Sequence, residues 1–388
     1  MDAWMIAAVR TPFGRHRGGL STMRVDDLAA LPIAELVKRV PSLDPAELDD
    51  VILGDTNGAG EDNRNVARMA GLLAGLPVTV PGSTVNRLCG SGGEAMVQAA
   101  RALTLGDARL VIAGGVEGMS RAPFVLPKPD ESLPRHLSLH QTTVGWRMVN
   151  PRFPDTWTRS LGECAERVGR DYGIGRQEQD AWAVRSHSRA AAAWDAGRHD
   201  DYVIEVEGVH RDESIRPDTN ATVLAALRPA FTKDGEVTAG NSAPLNDGAI
   251  AVLLGTQAAA AELGVEPIGR IVASAVSALE PDRFALAPVP AMARALERAG
   301  KRLDDLAVVE INEAFAAMVL SCLHDLPGLD RDRVNPNGGA LAYGHPLGAS
   351  MPRIVVDLCR ELRRRGGGVG LATCCIGVGQ GLAVVCEV

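Results

Sequence analysis

In "TVNRLCGSGGEAM" (84–96), Cys89 ends an apolar-flanked strand and Gly90-Ser91-Gly92-Gly93 opens a helix. A helix N-terminus stabilises thiolate through its dipole and free N–H groups. The same N–H groups can hold an oxyanion. The position also suits a small buried hydrophobe beside a tight turn. In "LATCCIGVGQG" (371–381), Cys374 and Cys375 follow an apolar run and meet a glycine-rich turn, so two of the chain's 7 cysteines share one dipeptide. His345 lies in "NPNGGALAYGHPLGAS" (335–350), on an ordered loop ahead of a helix, where a lone histidine is either structural or catalytic. Asn312, in "EINEAF", closes a buried strand; its amide either caps a turn or serves chemistry.

The elements around these residues repeat. "SLDPAELDDVILGDT" (42–56) is a short acidic helix followed by a strand, and "KRLDDLAVVEINEAF" (301–315) has the same order. "LGDARLVIAGGVEGMS" (105–120) is matched by "RRGGGVGLATCCIGVGQG" (364–381). Val51 precedes Ile112 by 61 positions and Val309 precedes Leu371 by 62. One supersecondary layout at matched spacing reads as a duplicated domain. Helical patterns between the strands, "GEAMVQAARALTLG" (93–106) and "RIVVDLCRELRRRG" (353–366), imply α/β units and a mainly parallel sheet. Cys89 and His345 then occupy matching post-strand loops. The middle, 118–247, is rich in Pro, Arg, Asp and His with one helix pair at "ECAERVGRDYG" and 176–197. It reads as a cap over an active site or an oligomerisation arm, or both.

The bulk numbers agree with a folded globular protein. A chain of 388 residues, 46% hydrophobic and only 4% aromatic, suits small-residue α/β packing. A net charge of −8 argues against a nucleic-acid surface, so an anionic substrate needs a local group of arginines. The apolar start "MDAWMIAAVRTPFG" breaks at Arg-Thr-Pro and reads as a first buried strand, not a signal peptide. No run approaches the length of a membrane span. Cysteines 89, 164, 322, 359, 374, 375 and 386 form neither a disulfide framework nor a C-x-x-C zinc pair. No metal is expected, and a reducing cytoplasm is the fitting compartment.

"NRLCGSG" around Cys89, "NEAFA" (312–316), "GGALAYGHPLGAS" (338–350), "CCIGVGQG" (374–381) and "TAGNSAPLNDGA" (238–249) together resemble the signature blocks of the thiolases, in order along essentially the whole chain. The resemblance implies an α/β thiolase fold: two duplicated βαβαβαββ halves form a five-layered αβαβα core with an inserted loop domain. The expected limits are 1–117 for the N-terminal half, completed by 248–265, then 118–247 for the insertion and 266–388 for the C-terminal half. It implies that Cys89 carries the acyl group as a thioester and that His345 takes its proton. Cys375 becomes the acid/base at the α-carbon of departing acetyl-CoA, a role a thiol fills with a modest pKa shift. Cys374 faces the other side of the strand end, as packing. The N–H groups of Cys89 and Gly377 form one oxyanion hole; His345 and a water held by Asn312 form the other. Losing one such donor costs on the order of 3 kcal/mol in barrier.

The same resemblance assigns coenzyme A as co-substrate, with no permanently bound cofactor, and acyl-CoA as partner. It assigns Arg216 and Ala243 to the coenzyme, Phe315 to the acyl pocket, and Leu161 to a pocket position where biosynthetic members carry another residue. A homodimer or homotetramer is expected. Three departures stand out: Ala243-Pro244 after "GNS", Ala285 and Ala287 in "FALAP", and Met351-Pro352 after Ser350. They are expected to reshape the channel, with Pro352 in a first helical turn. "TTVGWRMVNPRF" (142–153) looks most like β-ketoadipyl-CoA thiolases, whose dicarboxylic substrate needs a cation; Arg147 and Arg152 are the candidates. A medium-chain 3-ketoacyl-CoA thiolase and an acetoacetyl-CoA thiolase are the alternatives. A non-catalytic acyl-CoA-binding relative would lose a catalytic cysteine or the histidine. A decarboxylating ketoacyl synthase would carry two histidines with one cysteine. A dehydrogenase would need a βαβ unit after "GVGQG", and an α/β-hydrolase a G-x-S-x-G elbow.

Overall fold

The computed structural model describes residues 1–388. Its first half runs β1 (Ala3–Arg10), α1 (Val25–Arg39), β2 (Asp50–Gly54), α2 (Val66–Leu73), β3 (Ser83–Val85), α3 (Ser91–Leu105) and β4 (Leu110–Gly118). The intervening segment holds α4 (Leu161–Asp171) and α5 (Arg176–Asp195). The chain then forms β5 (Asn246–Gly255), β6 (Gly269–Ala278), α6 (Pro288–Ala299), β7 (Leu306–Ile311), α7 (Ala316–His324), α8 (Leu347–Arg364), β8 (Val369–Ile376) and β9 (Gln380–Glu387).

The sheet order is β3-β2-β4-β5-β1 followed by β6-β9-β8-β7. Within the first set β2 is parallel to β3 and β4, while β5 is antiparallel to β4 and β1. The second set repeats this: β7 parallel to β8, β9 antiparallel to β8 and β6. Its place for a third strand holds only the parallel bridge Val309–Val334. Val51 pairs with Ile112 and Val309 with Leu371, the matched positions of the sequence repeat. The halves join edge to edge where Ala3, Trp4 and Met5 pair with Ile271, Arg270 and Gly269.

Three apolar cores separate the layers. α1 and α2 cover one outer face, packing Ile33, Leu36 and Ala70 on Val51 and Ile112. α3 and α8 fill the middle, packing Met96, Ala100, Val355 and Leu358 against strands of both sets. α4, α6 and α7 cover the other outer face through Val168, Met292 and Met318. Strands covered on both sides read as near-continuous apolar runs, as in β5, where all ten residues are buried and only Asn246 and Asp247 at its start are polar. Alternation sends neighbouring residues to different cores: Cys374 joins the central one and Cys375 the outer one.

The central helices touch through glycine. A Cβ on Gly92 would collide with the Gly348 carbonyl, and one on Gly348 with the carbonyls of Gly54 and Val116. This close approach fixes the start of α3 against the start of α8. The larger Met351 and Pro352 fit because they meet Gly93 and Gly92. Pro352 is not in the first helical turn; it is the sixth residue of α8 and removes the N–H that Gly348 O would have accepted. Both side chains are buried between the helices. Ala285 and Ala287 are likewise fully buried in the outer core.

Candidate active site

Each central helix carries a reactive residue two positions ahead of its first residue: Cys89 before Ser91, His345 before Leu347. Because the helix starts are pinned together, so are these loops. β3 ends at Val85, four residues short of Cys89, and a tight turn completes the approach. Leu88 in that turn has φ +48°, and Val378 in the β8–β9 turn has φ +61°. Left-handed backbone is costly for leucine and more so for a β-branched residue, so the surroundings hold both.

The Cys89 thiol is buried, and desolvation pushes it up to about 11. Backbone N–H groups of Gly377 and of Cys89 itself approach the sulfur and oppose that shift. Burial outweighs these N–H groups, so the resting group is the thiol. Cys375 is pushed well up by burial, with Cys89, Cys374 and Cys322 as smaller causes, and stays a thiol able to donate.

His345 is pushed down to about 4 by burial, with the Arg353 charge a smaller cause, so it is neutral and can accept a proton. Its Nδ1 lies 2.6 Å from Ser350 Oγ, and that hydroxyl donates to Pro346 O at 2.8 Å. The Ser350 proton is thus used, Nδ1 carries the imidazole proton, and Nε2 keeps its lone pair. Asn246 Oδ1 accepts from His345 N at 3.1 Å and holds the loop. Asn312, fully buried, places Nδ2 3.4 Å from the imidazole nitrogens, while Asn312 Oδ1 has no partner. Asn312 N donates to Thr373 O at 2.9 Å, extending the β7–β8 ladder to the strand that bears Cys375. The neighbouring Glu313 carboxylate accepts from Trp182, Ser186, Asn335 and Leu341 N, tying this loop to α5.

A cleft of about 710 Å³ opens beside Gly377. Trp146, Arg147, Met148, Phe153, Leu279 and Val378 line it. Trp146 stands over Gly377: a Cβ there would lie 3.1 Å from Trp146 Cη2 and 3.3 Å from Leu88 Cδ1. Arg147 donates to Asn57 Oδ1 at 3.2 Å and has no carboxylate partner; Glu280 lines the same cleft. Arg152 is exposed, bonded to Asn150, and is not on the cleft wall.

The other expected residues fall in two places. Ala243 N donates to Ala314 O at 2.9 Å, so "GNSAP" runs beside "NEAF". Phe315 meets Phe231 and Phe284 edge-on at 5.9 and 6.3 Å, and Leu161 packs on the same core. Leu161 is set by the capping box of Ser160 and Glu163 that starts α4. Arg216 is exposed without a carboxylate partner; its N–H donates to His187 Nδ1 at 3.2 Å. Sequence reasoning missed Asn246, Ser350, Trp146 and Glu117. Asn246 and Ser350 lie inside the quoted signature blocks, Trp146 inside "TTVGWRMVNPRF" and Glu117 inside the repeated segment 105–120, but no spacing or residue pattern singles them out there.

The chain matches the thiolase N-terminal domain over residues 3–258 and the thiolase C-terminal domain over residues 265–388. It is 49% identical, over 100% of its length and 99% of the relative's, to the 3-oxoadipyl-CoA/3-oxo-5,6-dehydrosuberyl-CoA thiolase of Escherichia coli K12. It is 46% identical over 99% of both chains to a beta-ketoadipyl-CoA thiolase of Acinetobacter baylyi. Human mitochondrial 3-ketoacyl-CoA thiolase in complex with CoA superposes with a TM-score of 0.92 at 36% identity, covering 100% of this chain and 98% of that one. No helix is long and apolar enough to cross a membrane.

Proposed function

The chain belongs to the thiolase family, and from that premise we propose that it cleaves 3-oxoadipyl-CoA with coenzyme A to acetyl-CoA and succinyl-CoA. The observation that carries this reading is Arg147, a cation without a carboxylate partner on the wall of the cleft beside Gly377. The full-length likeness to thiolases named for 3-oxoadipyl-CoA supports it.

The proposed steps use the groups described above. His345 Nε2 takes the Cys89 proton, and the sulfur attacks the C3 carbonyl. The C3 alkoxide is held by the N–H groups of Cys89 and Gly377, which the approach of both N–H groups to the sulfur supports. The C2–C3 bond breaks, and the acetyl-CoA enolate takes a proton from Cys375. A water that donates one hydrogen to the free buried Oδ1 of Asn312 and the other to the enolate oxygen, together with His345, stabilises the enolate. The acyl group remains on Cys89. The Cys375 thiolate then takes the proton of incoming coenzyme A, whose sulfur attacks the thioester. Cys89 leaves and recovers its proton from His345, so both half-reactions balance.

Phe315 and Leu161 bound the acyl pocket in this reading, and Arg216 and Ala243 meet the coenzyme. The insertion at 118–247 caps the site between halves 1–117 with 248–265 and 266–388. The exposed Phe124, Leu133 and Leu139 in that insertion support assembly into a homodimer or homotetramer. A cytoplasmic setting fits seven free cysteines.

The test is Arg147→Met. A charge-assisted bond to the distal carboxylate contributes about 1.5–3 kcal/mol. The variant is expected to lose about tenfold or more in kcat/KM for 3-oxoadipyl-CoA and stay within about twofold on acetoacetyl-CoA. Equal losses on both substrates, or none on either, would remove Arg147 from substrate recognition.

A further inference from the structure

Glu117, in β4, lies behind the two reactive loops and is 2% exposed. Its Oε2 accepts from Gly348 N at 3.0 Å and from Thr56 N at 3.1 Å. Gly348 is the second residue of α8, three positions after His345. Thr56 donates Oγ1–H to Leu88 O at 3.1 Å, the peptide that leads into Cys89. Leu88 is the residue held in the left-handed region; its carbonyl also accepts from Ser91 N at 2.9 Å and Ser91 Oγ at 2.6 Å, and Thr56 is the contact that ties this turn to the Glu117 strand. One carboxylate oxygen therefore joins the start of the His345 helix to the strained peptide before the nucleophile.

The surroundings of Glu117 are acidic. Asp55 follows β2, Asp62 and Glu61 lie on the next loop, and Arg121 on the same small cavity is paired with Glu61. α8 brings only the Gly348 N–H. Burial pushes the Glu117 carboxyl up to about 7, with its hydrogen bonds opposing the shift. Its negative charge in turn is one of the causes that push Cys89 up. The group thus titrates near neutrality beside the nucleophile.

We propose that Glu117 is a positioning residue of the reaction: through Gly348 and Thr56 it fixes the His345 and Cys89 loops at one separation, and its charge sets how readily Cys89 releases its proton. The inference rests on the thiolase reading of Cys89. It reaches beyond that reading because Glu117 touches no reacting atom and acts through backbone and field alone.

Two variants separate the two effects. Glu117→Gln keeps an oxygen that can accept both N–H groups but carries no charge. Glu117→Ala removes the bridge. Alkylation of Cys89 by iodoacetamide, located by peptide mass, is followed against pH without substrate. The Gln variant is expected to alkylate with its midpoint shifted down by roughly one pH unit. The Ala variant is expected to lose about tenfold or more in kcat with KM for coenzyme A within about twofold, and Gln to restore most of that kcat. A wild-type alkylation profile in Glu117→Gln, or a Glu117→Ala enzyme turning over within about twofold of wild type, would overturn the proposal. Failure of the wild-type protein itself to acylate Cys89 from either succinyl-CoA or acetyl-CoA would instead strike the reading of Cys89 as the nucleophile.

Discussion

Cys89→Ser is expected to lower kcat/KM for 3-oxoadipyl-CoA by at least about 10³-fold. The size follows from the site. The cysteine is already a thiol whose proton is held tightly by burial, and only a neutral imidazole is available to take it. A hydroxyl is a far weaker acid than a thiol, so the same base cannot generate the nucleophile at a useful rate. The N–H groups that approach the sulfur remain, because Cys89 N and Gly377 N are backbone. Binding is then expected to survive while covalent chemistry does not. Steady-state thiolysis, together with the mass of the residue-89 peptide after mixing with succinyl-CoA, checks this. A serine variant that still forms the acyl adduct and turns over within tenfold of wild type would move the nucleophile elsewhere.

Cys375→Ser is expected to separate the two half-reactions. Exchange of an acyl group between succinyl-CoA and Cys89 needs the nucleophile, His345 and an oxyanion hole. Cleavage of the C2–C3 bond also needs a proton for the enolate. Cys375 is fully buried in the outer core, on the opposite face from Cys374. Replacing it should slow cleavage of 3-oxoadipyl-CoA by about 10²–10⁴-fold, the usual contribution of a positioned acid or base. Acylation of Cys89 by succinyl-CoA should persist. Isotope exchange between labelled coenzyme A and succinyl-CoA, set against thiolysis, measures both. Equal loss in the two assays would assign Cys375 to the fold, and full thiolysis would remove it from the mechanism.

Much of this arrangement is legible in the chain because it is written in local pattern and repetition. The residues at the matched spacings, Val51 with Ile112 and Val309 with Leu371, are paired neighbours in the parallel strand pairs β2–β4 and β7–β8. Period-two alternation separates Cys374 from Cys375. Both reactive loops precede a helix, and both helices begin with residues small enough to touch.

What the chain conceals depends on contacts between distant segments. Glu117 and Gly348 are 231 positions apart, and Asn246 reaches His345 across 99. No periodicity marks such pairs. Met351 and Pro352 looked like channel changes because the Gly92 and Gly93 that receive them lie on another helix. Arg147 and Arg152 are alike in sequence; only the placement of Arg147 beside Trp146 and Gly377, against the exposure of Arg152, distinguishes them. The His345 tautomer depends on two partners in space: Ser350 Oγ accepts from Nδ1 because its own proton goes to Pro346 O.

The most direct test of the account is thiolysis by the purified protein with free coenzyme A, comparing kcat/KM for 3-oxoadipyl-CoA, acetoacetyl-CoA and a medium-chain 3-oxoacyl-CoA. The account predicts acetyl-CoA and succinyl-CoA in equal amounts from the first, with a preference of about tenfold or more, roughly 1.4 kcal/mol of transition-state discrimination. A tenfold preference for a chain without the second carboxylate would contradict the substrate assignment, and no turnover of any of the three would contradict the mechanism itself.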